Sequence, residues 1–146
     1  MKEILQFMDW NECTKKFVRI IETDKERMHS IVHAALHRLE FVKTIQVSER
    51  NSSYVVENYY EVIKELLVAL LLKKNLKSTN HQCLISYFYK NYPQYEYEAN
   101  VMLKMSYLRN RLDYYGEPIE LDFYKKYKND FMKIIEIIKS LIENKE

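Results

Sequence analysis

SYVVENYYEVIKELLVALLLKKN, residues 53–75, decides the fold. Glu57, Glu61 and Lys64 form one narrow polar strip along it, and the rest is apolar nearly all round. A helix of that kind has to be enclosed by other helices. Its apolar run, Leu66 to Leu72, is far short of the roughly 20 residues a membrane span needs, so it reads as the centre of a buried bundle helix. Upstream, Asn51-Ser52-Ser53 is a polar break. Before it, Thr23-Asp24 caps a helix with apolar positions Met28, Ile31, Val32, Ala35, Leu36, Leu39 and Val42, the 3-4-3-4 spacing of an amphipathic helix. A weaker first helix is expected from about Asp9 to Glu22, with Phe17, Val18, Ile20 and Ile21 as its apolar side. Downstream, Ser78, Thr79 or Asn80 caps a fourth helix that ends near Lys90, ahead of Pro93. A fifth runs from about Tyr95 to Tyr115, where Gly116 and Pro118 stop it. A sixth runs from about Leu121 to Asn144, with Phe131, Ile134, Ile135, Ile138, Leu141 and Ile142 on one side. No segment alternates as a strand. The expectation is an all-α, up-and-down bundle of five to six helices. Residues 1–146 form a single domain, with 1–22 an extra helix docked through Trp10 and Phe17.

One Gly and two Pro in 146 residues agree with long helices and leave no glycine loop for a phosphate or dinucleotide. With 23 basic and 21 acidic side chains, any nucleic-acid contact must come from a local cluster. Cys13 and Cys83 are too few for a disulfide framework or a four-ligand zinc site. They suggest a reducing interior, and the cytoplasm is the expected location. MKEILQFMDW, which carries Glu3 and Asp9, is not expected to be a secretory signal, and no membrane association is expected.

The fifth helix carries the chemistry. Val101, Met105, Leu108, Leu112 and Tyr115 make its core stripe on a wheel of about 100° per residue. Arg109, Asp113, Asn110 and Tyr114 share a polar arc near its C-terminal end, and the apolar Met102 and Leu103 continue that arc. A polar patch adjoining exposed apolar side chains suggests a subunit interface with a cleft. A solvated face with an ordinary Arg109–Asp113 i, i+4 pair satisfies the same spacing.

Three stretches carry a family resemblance: Tyr59-Tyr60-Glu61-Val62-Ile63-Lys64-Glu65-Leu66-Leu67, Asn80-His81-Gln82-Cys83-Leu84-Ile85-Ser86-Tyr87-Phe88 and, most specifically, Leu108-Arg109-Asn110-Arg111-Leu112-Asp113-Tyr114-Tyr115-Gly116. From about Asp24 onward the chain resembles the HEPN (higher eukaryotes and prokaryotes nucleotide-binding) domain in its short prokaryotic form. The resemblance implies an all-α bundle, usually dimeric. Many members are metal-independent ribonucleases, often toxins paired with a nucleotidyltransferase-type antitoxin. The family motif is Arg, a polar residue, three further residues, then His. Arg109 and Asn110 match its first two positions, and the His position falls on Tyr114.

Metal-free RNA cleavage needs a base for the 2′-hydroxyl, an acid for the leaving oxygen and a cation for the phosphorane. Arg109 suits the last role through its bidentate fork. A tyrosine, with an ordinary pKa of about 10, donates a hydrogen bond or a proton at neutral pH but is a poor base. The expectation from the resemblance is therefore a homodimer that binds RNA in a cleft holding Arg109, Asn110 and Tyr114 from both subunits, with slow metal-independent cleavage as its enzymatic form. The alternative is a catalytically degenerate module that binds a nucleotidyltransferase-type partner or a nucleotide.

Four further groups bear on that reading. Arg111, Lys73 and Lys74 are candidates for a phosphate track, set against helix-end lysines that merely complement the dipole. His81, at the start of the fourth helix, is a secondary candidate for a base reaching toward Arg109, or a structural residue at a helix start. Asp113 is the other secondary candidate. His29, His33 and His37 lie at i, i+4, i+8 with only Glu40 aligned, which suits a solvated face better than a metal motif, so no metal or other cofactor is expected.

Overall fold

The computed structural model describes residues 5–144, so the Glu3 part of the N-terminal reading lies outside the described residues. The helices are α1 (Trp10–Lys16), α2 (Lys25–Lys43), α3 (Ser52–Lys73), α4 (His81–Asn91), α5 (Glu96–Tyr115) and α6 (Leu121–Glu143). A helical bundle is the result, and no helix among the described residues is long and apolar enough to cross a membrane.

α3 is the axis. Fourteen of its side chains are buried, among them Val62, Ile63, Leu66, Leu67, Leu70 and Leu71. It packs on α2, α4, α5 and α6, which is what its nearly all-round apolar surface requires. Phe131, Ile134, Ile135 and Ile138 of α6 bring the other main share of the core.

The caps follow from residue type. Asp24 and Asn80 each accept a backbone N–H of the first turn, at 3.0 and 2.8 Å. Gly116, at φ 65°, closes α5 in the left-handed region that L side chains avoid. Two buried serines at the start of α3 clamp the turn between α5 and α6. Ser52 Oγ donates to the carbonyl of Ile119, and the Ile119 N–H donates to Ser53 Oγ, both at 2.8 Å.

The N-terminal expectation needs correction. The helix ends at Lys16, and Val18–Ile20 is a strand, β1, paired antiparallel with β2 (Leu76–Ser78) in the register Val18↔Ser78, Arg19↔Lys77, Ile20↔Leu76. β-branched Val18 and Ile20 suit extended chain, and a partner edge lies beside them because Asn75, at φ 61°, turns the chain sharply out of α3. Thr23 Oγ1 donates to Asn75 Oδ1 at 2.9 Å and holds that turn. Ile20, assigned to an apolar helix face, is 84% exposed.

The cysteines also differ from expectation. Cys13 and Cys83 are bonded to each other, with 5.7 Å between Cα atoms, and both are fully buried. Seventy residues separate them in sequence, and only the docking of α1 on α4 brings them together. That docking also stacks Phe7 on Tyr89 (3.9 Å), sets Trp10 edge-on to Tyr87 (5.5 Å) and bonds Ser86 Oγ to the Met8 carbonyl (2.6 Å).

Candidate functional site

The polar strip of α3 and the polar arc of α5 meet. Arg109 is the hinge of the arrangement. Its Nη2 lies 3.4 Å from Glu61 Oε1, its Nε lies 3.3 Å from Asp113 Oδ2, and its guanidinium sits 5.9 Å from the centre of the Tyr60 ring. Lys64 Nζ closes on Glu61 Oε2 at 2.7 Å. Arg109 Nε is buried and without a hydrogen-bond partner, because the Asp113 oxygen, though close, stands off the N–H axis.

Glu57, one turn before Glu61, lies within electrostatic reach of Asp113, Arg109 and Glu61. Burial first, and then Asp113, raise the Glu57 pKa, while Arg109 pulls it down. The cluster sets three acids (Glu57, Glu61, Asp113) against two basic side chains (Lys64, Arg109).

His81 joins from α4. Burial of its ring first, and then the charges of Lys64 and Arg109, lower its pKa, with Glu61 opposing. It occupies the first position of α4, where the helix dipole also disfavours an imidazolium. The ring is therefore neutral at pH 7 and able to accept a proton.

A second, adjoining space lies on the other side of α5. Asn110 lines a cleft of about 180 Å³ with Gln82, Leu103, Ser106 and Tyr107. Ser106 connects the two spaces. It accepts from Gln82 Nε2 at 2.5 Å, and burial raises the pKa of the nearby Tyr60 phenol, with Ser106 and Arg109 opposing.

The sequence candidates therefore separate. Arg109, Asp113 and His81 come together. Asn110 faces the neighbouring cleft. Tyr114 is 79% exposed, about 140° round the helix from Arg109. Arg111 is held in the turn after α5, its Nε donating to Glu117 Oε2 at 2.7 Å and its Nη2 to Glu117 Oε1, with the rings of Tyr107 and Tyr115 beside it. Its hydrogen bond keeps the Glu117 carboxyl below the usual range. Lys73 donates to the carbonyls of Leu141 (2.9 Å) and Asn144, so it binds the end of α6. Burial and Lys73 lower the pKa of Lys74. Both lysines lie beyond Glu61 by about 18 Å of helix.

The exposed apolar arc is a correction. Met102 is fully buried and Leu103 is 6% exposed, because α3, α4 and α6 enclose α5. Tyr115, placed in the core stripe, is 70% exposed. His29, His33 and His37 are exposed, with the rings of His33 and His37 4.5 Å apart. No three His, Cys, Asp or Glu side chains among the described residues are placed to hold a metal ion.

Sequence reasoning saw Glu57, Glu61 and Lys64 as a strip without assigning them a role. The signal was present: charges on a helix otherwise built for burial need partners. Tyr60, Gln82 and Ser106 carried no such signal. Compared with known proteins, the chain matches no family model, no curated protein and no solved structure.

Proposed function

We propose that the chain is a HEPN-like RNA-binding protein of the cytoplasm, acting as a homodimer, whose phosphate-binding group is Arg109. The observation that carries this reading is the buried Arg109 Nε, which makes no hydrogen bond although it is ion-paired with Asp113, in a cluster with Glu61 and a neutral His81. A phosphate oxygen that displaced the Asp113 carboxylate would satisfy that donor. His81 is then the base for a 2′-hydroxyl, since Tyr114 points to solvent within its own subunit. Tyr114 and Asn110 of the two subunits line the rest of the cleft, with cleavage slow and independent of metal.

The test is single-turnover RNA cleavage in EDTA. Wild type cleaves; Arg109→Ala loses both affinity and cleavage; His81→Ala keeps affinity and loses about 10²–10⁴ in rate. Equal behaviour of wild type and Arg109→Ala would sink the reading.

One observation favours a second reading. Arg109 is already engaged by two carboxylates, and Tyr114 and Tyr115 stand exposed at the end of the same helix. A catalytically inert module would present those rings to a nucleotidyltransferase-type partner. In that case the protein binds no RNA and co-purifies with the partner from its host.

A further inference from the structure

Away from the Arg109 cluster, a groove of about 420 Å³ runs between α5 and α6. That volume falls within the range of small-molecule sites. Leu108, Phe123 and the ring of Tyr127 give it apolar walls, and Lys104, Lys126 and Asp122 are its charged groups. The two lysines converge on one phenol. Lys104 Nζ donates to Tyr127 Oη at 3.1 Å and lies 5.3 Å from the ring centre; Lys126 Nζ lies 5.4 Å from the same centre.

Two ammonium groups gathered over one ring repel each other, and only one acid among the lining residues opposes them. Asp122 is itself placed in the first turn of α6, where it complements the helix dipole. The charged groups of the groove sum to +1 (Lys104 and Lys126 less Asp122). The Lys104 hydrogen bond first, and then the two lysine charges, lower the Tyr127 pKa against its burial.

We propose that this groove binds a small amphipathic monoanion, a carboxylate with a short apolar body. The carboxylate sits between Lys104 and Lys126, and the body lies on Leu108, Phe123 and Tyr127. A net charge of one matches a carboxylate rather than a phosphate dianion, and an apolar wall with an acid at its edge does not match a nucleic-acid backbone.

Octanoate is the probe and octanol its neutral control, followed on the intact protein by amide chemical-shift mapping and calorimetry. Octanoate shifts the amides of α5 and α6 around the groove, and octanol binds at least about tenfold more weakly, a difference of about 1.4 kcal/mol. Lys104→Met with Lys126→Met weakens octanoate by about tenfold or more and leaves octanol unchanged, which a folding defect would not do. Equal binding of acid and alcohol would overturn the proposal, as would shifts mapping outside the groove. So would the absence of octanoate binding at about 10 mM, above the range of weak specific sites.

Discussion

His81 is where a single residue reports on the cluster. Its imidazole is held below its ordinary pKa of about 6.5, so the unfolded chain takes up the proton first as pH falls. His81 therefore contributes no penalty above that pH and costs stability progressively below it. Glu57 works the other way. Its raised pKa means that the folded chain takes up the proton first, and stability is gained as pH falls through the folded value, above 4.5. We expect His81→Gln to gain stability relative to wild type as pH is lowered from about 7 to about 5, measured as the difference in thermal midpoints. A constant difference would mean that the ring titrates normally. At this scale the sequence was half legible. An acid-base strip on an apolar helix announces that charges need partners. Which residues of α3 and α4 close on Arg109 is set by packing between helices far apart in sequence, and leaves no mark in spacing.

Elements were legible wherever a cap residue sat at the boundary. Asp24, Asn80 and Gly116 each stop or start a helix by chemistry local to them: α2 starts at its expected cap, and α4 and α5 lie within a residue or two of the expected bounds. β1 and β2 were not legible, because three-residue strands exist only through each other and their partners are far apart in sequence. The same long-range logic governs the serine clamp at the start of α3. Ile119 is 2% exposed, and its N–H has Ser53 Oγ as its acceptor. Ser53→Ala leaves that donor buried and unpaired, at a cost of about 1–3 kcal/mol. Denaturant unfolding measures the loss, and amide exchange at Ile119 should quicken selectively. An unchanged exchange rate would show that the clamp is dispensable.

On the scale of the whole molecule, the core was legible from composition and periodicity, and the covalent link was not. Two cysteines 70 residues apart give no pairing signal until α1 docks on α4. The bond constrains the unfolded chain, and Cys13→Ser with Cys83→Ser should lower stability by about 2–4 kcal/mol in denaturant titrations. It also has a mechanical meaning. Residues 13 to 83 form a closed ring that contains all of α2 and α3, including the central helix around which the bundle is built. A molecule pulled by its ends transmits force across the sulfur bridge and cannot pay out the ring. In an optical trap the oxidised chain should come up short by about 240 Å of contour length, the span of the 70 hidden residues, and reduction should release that length in full.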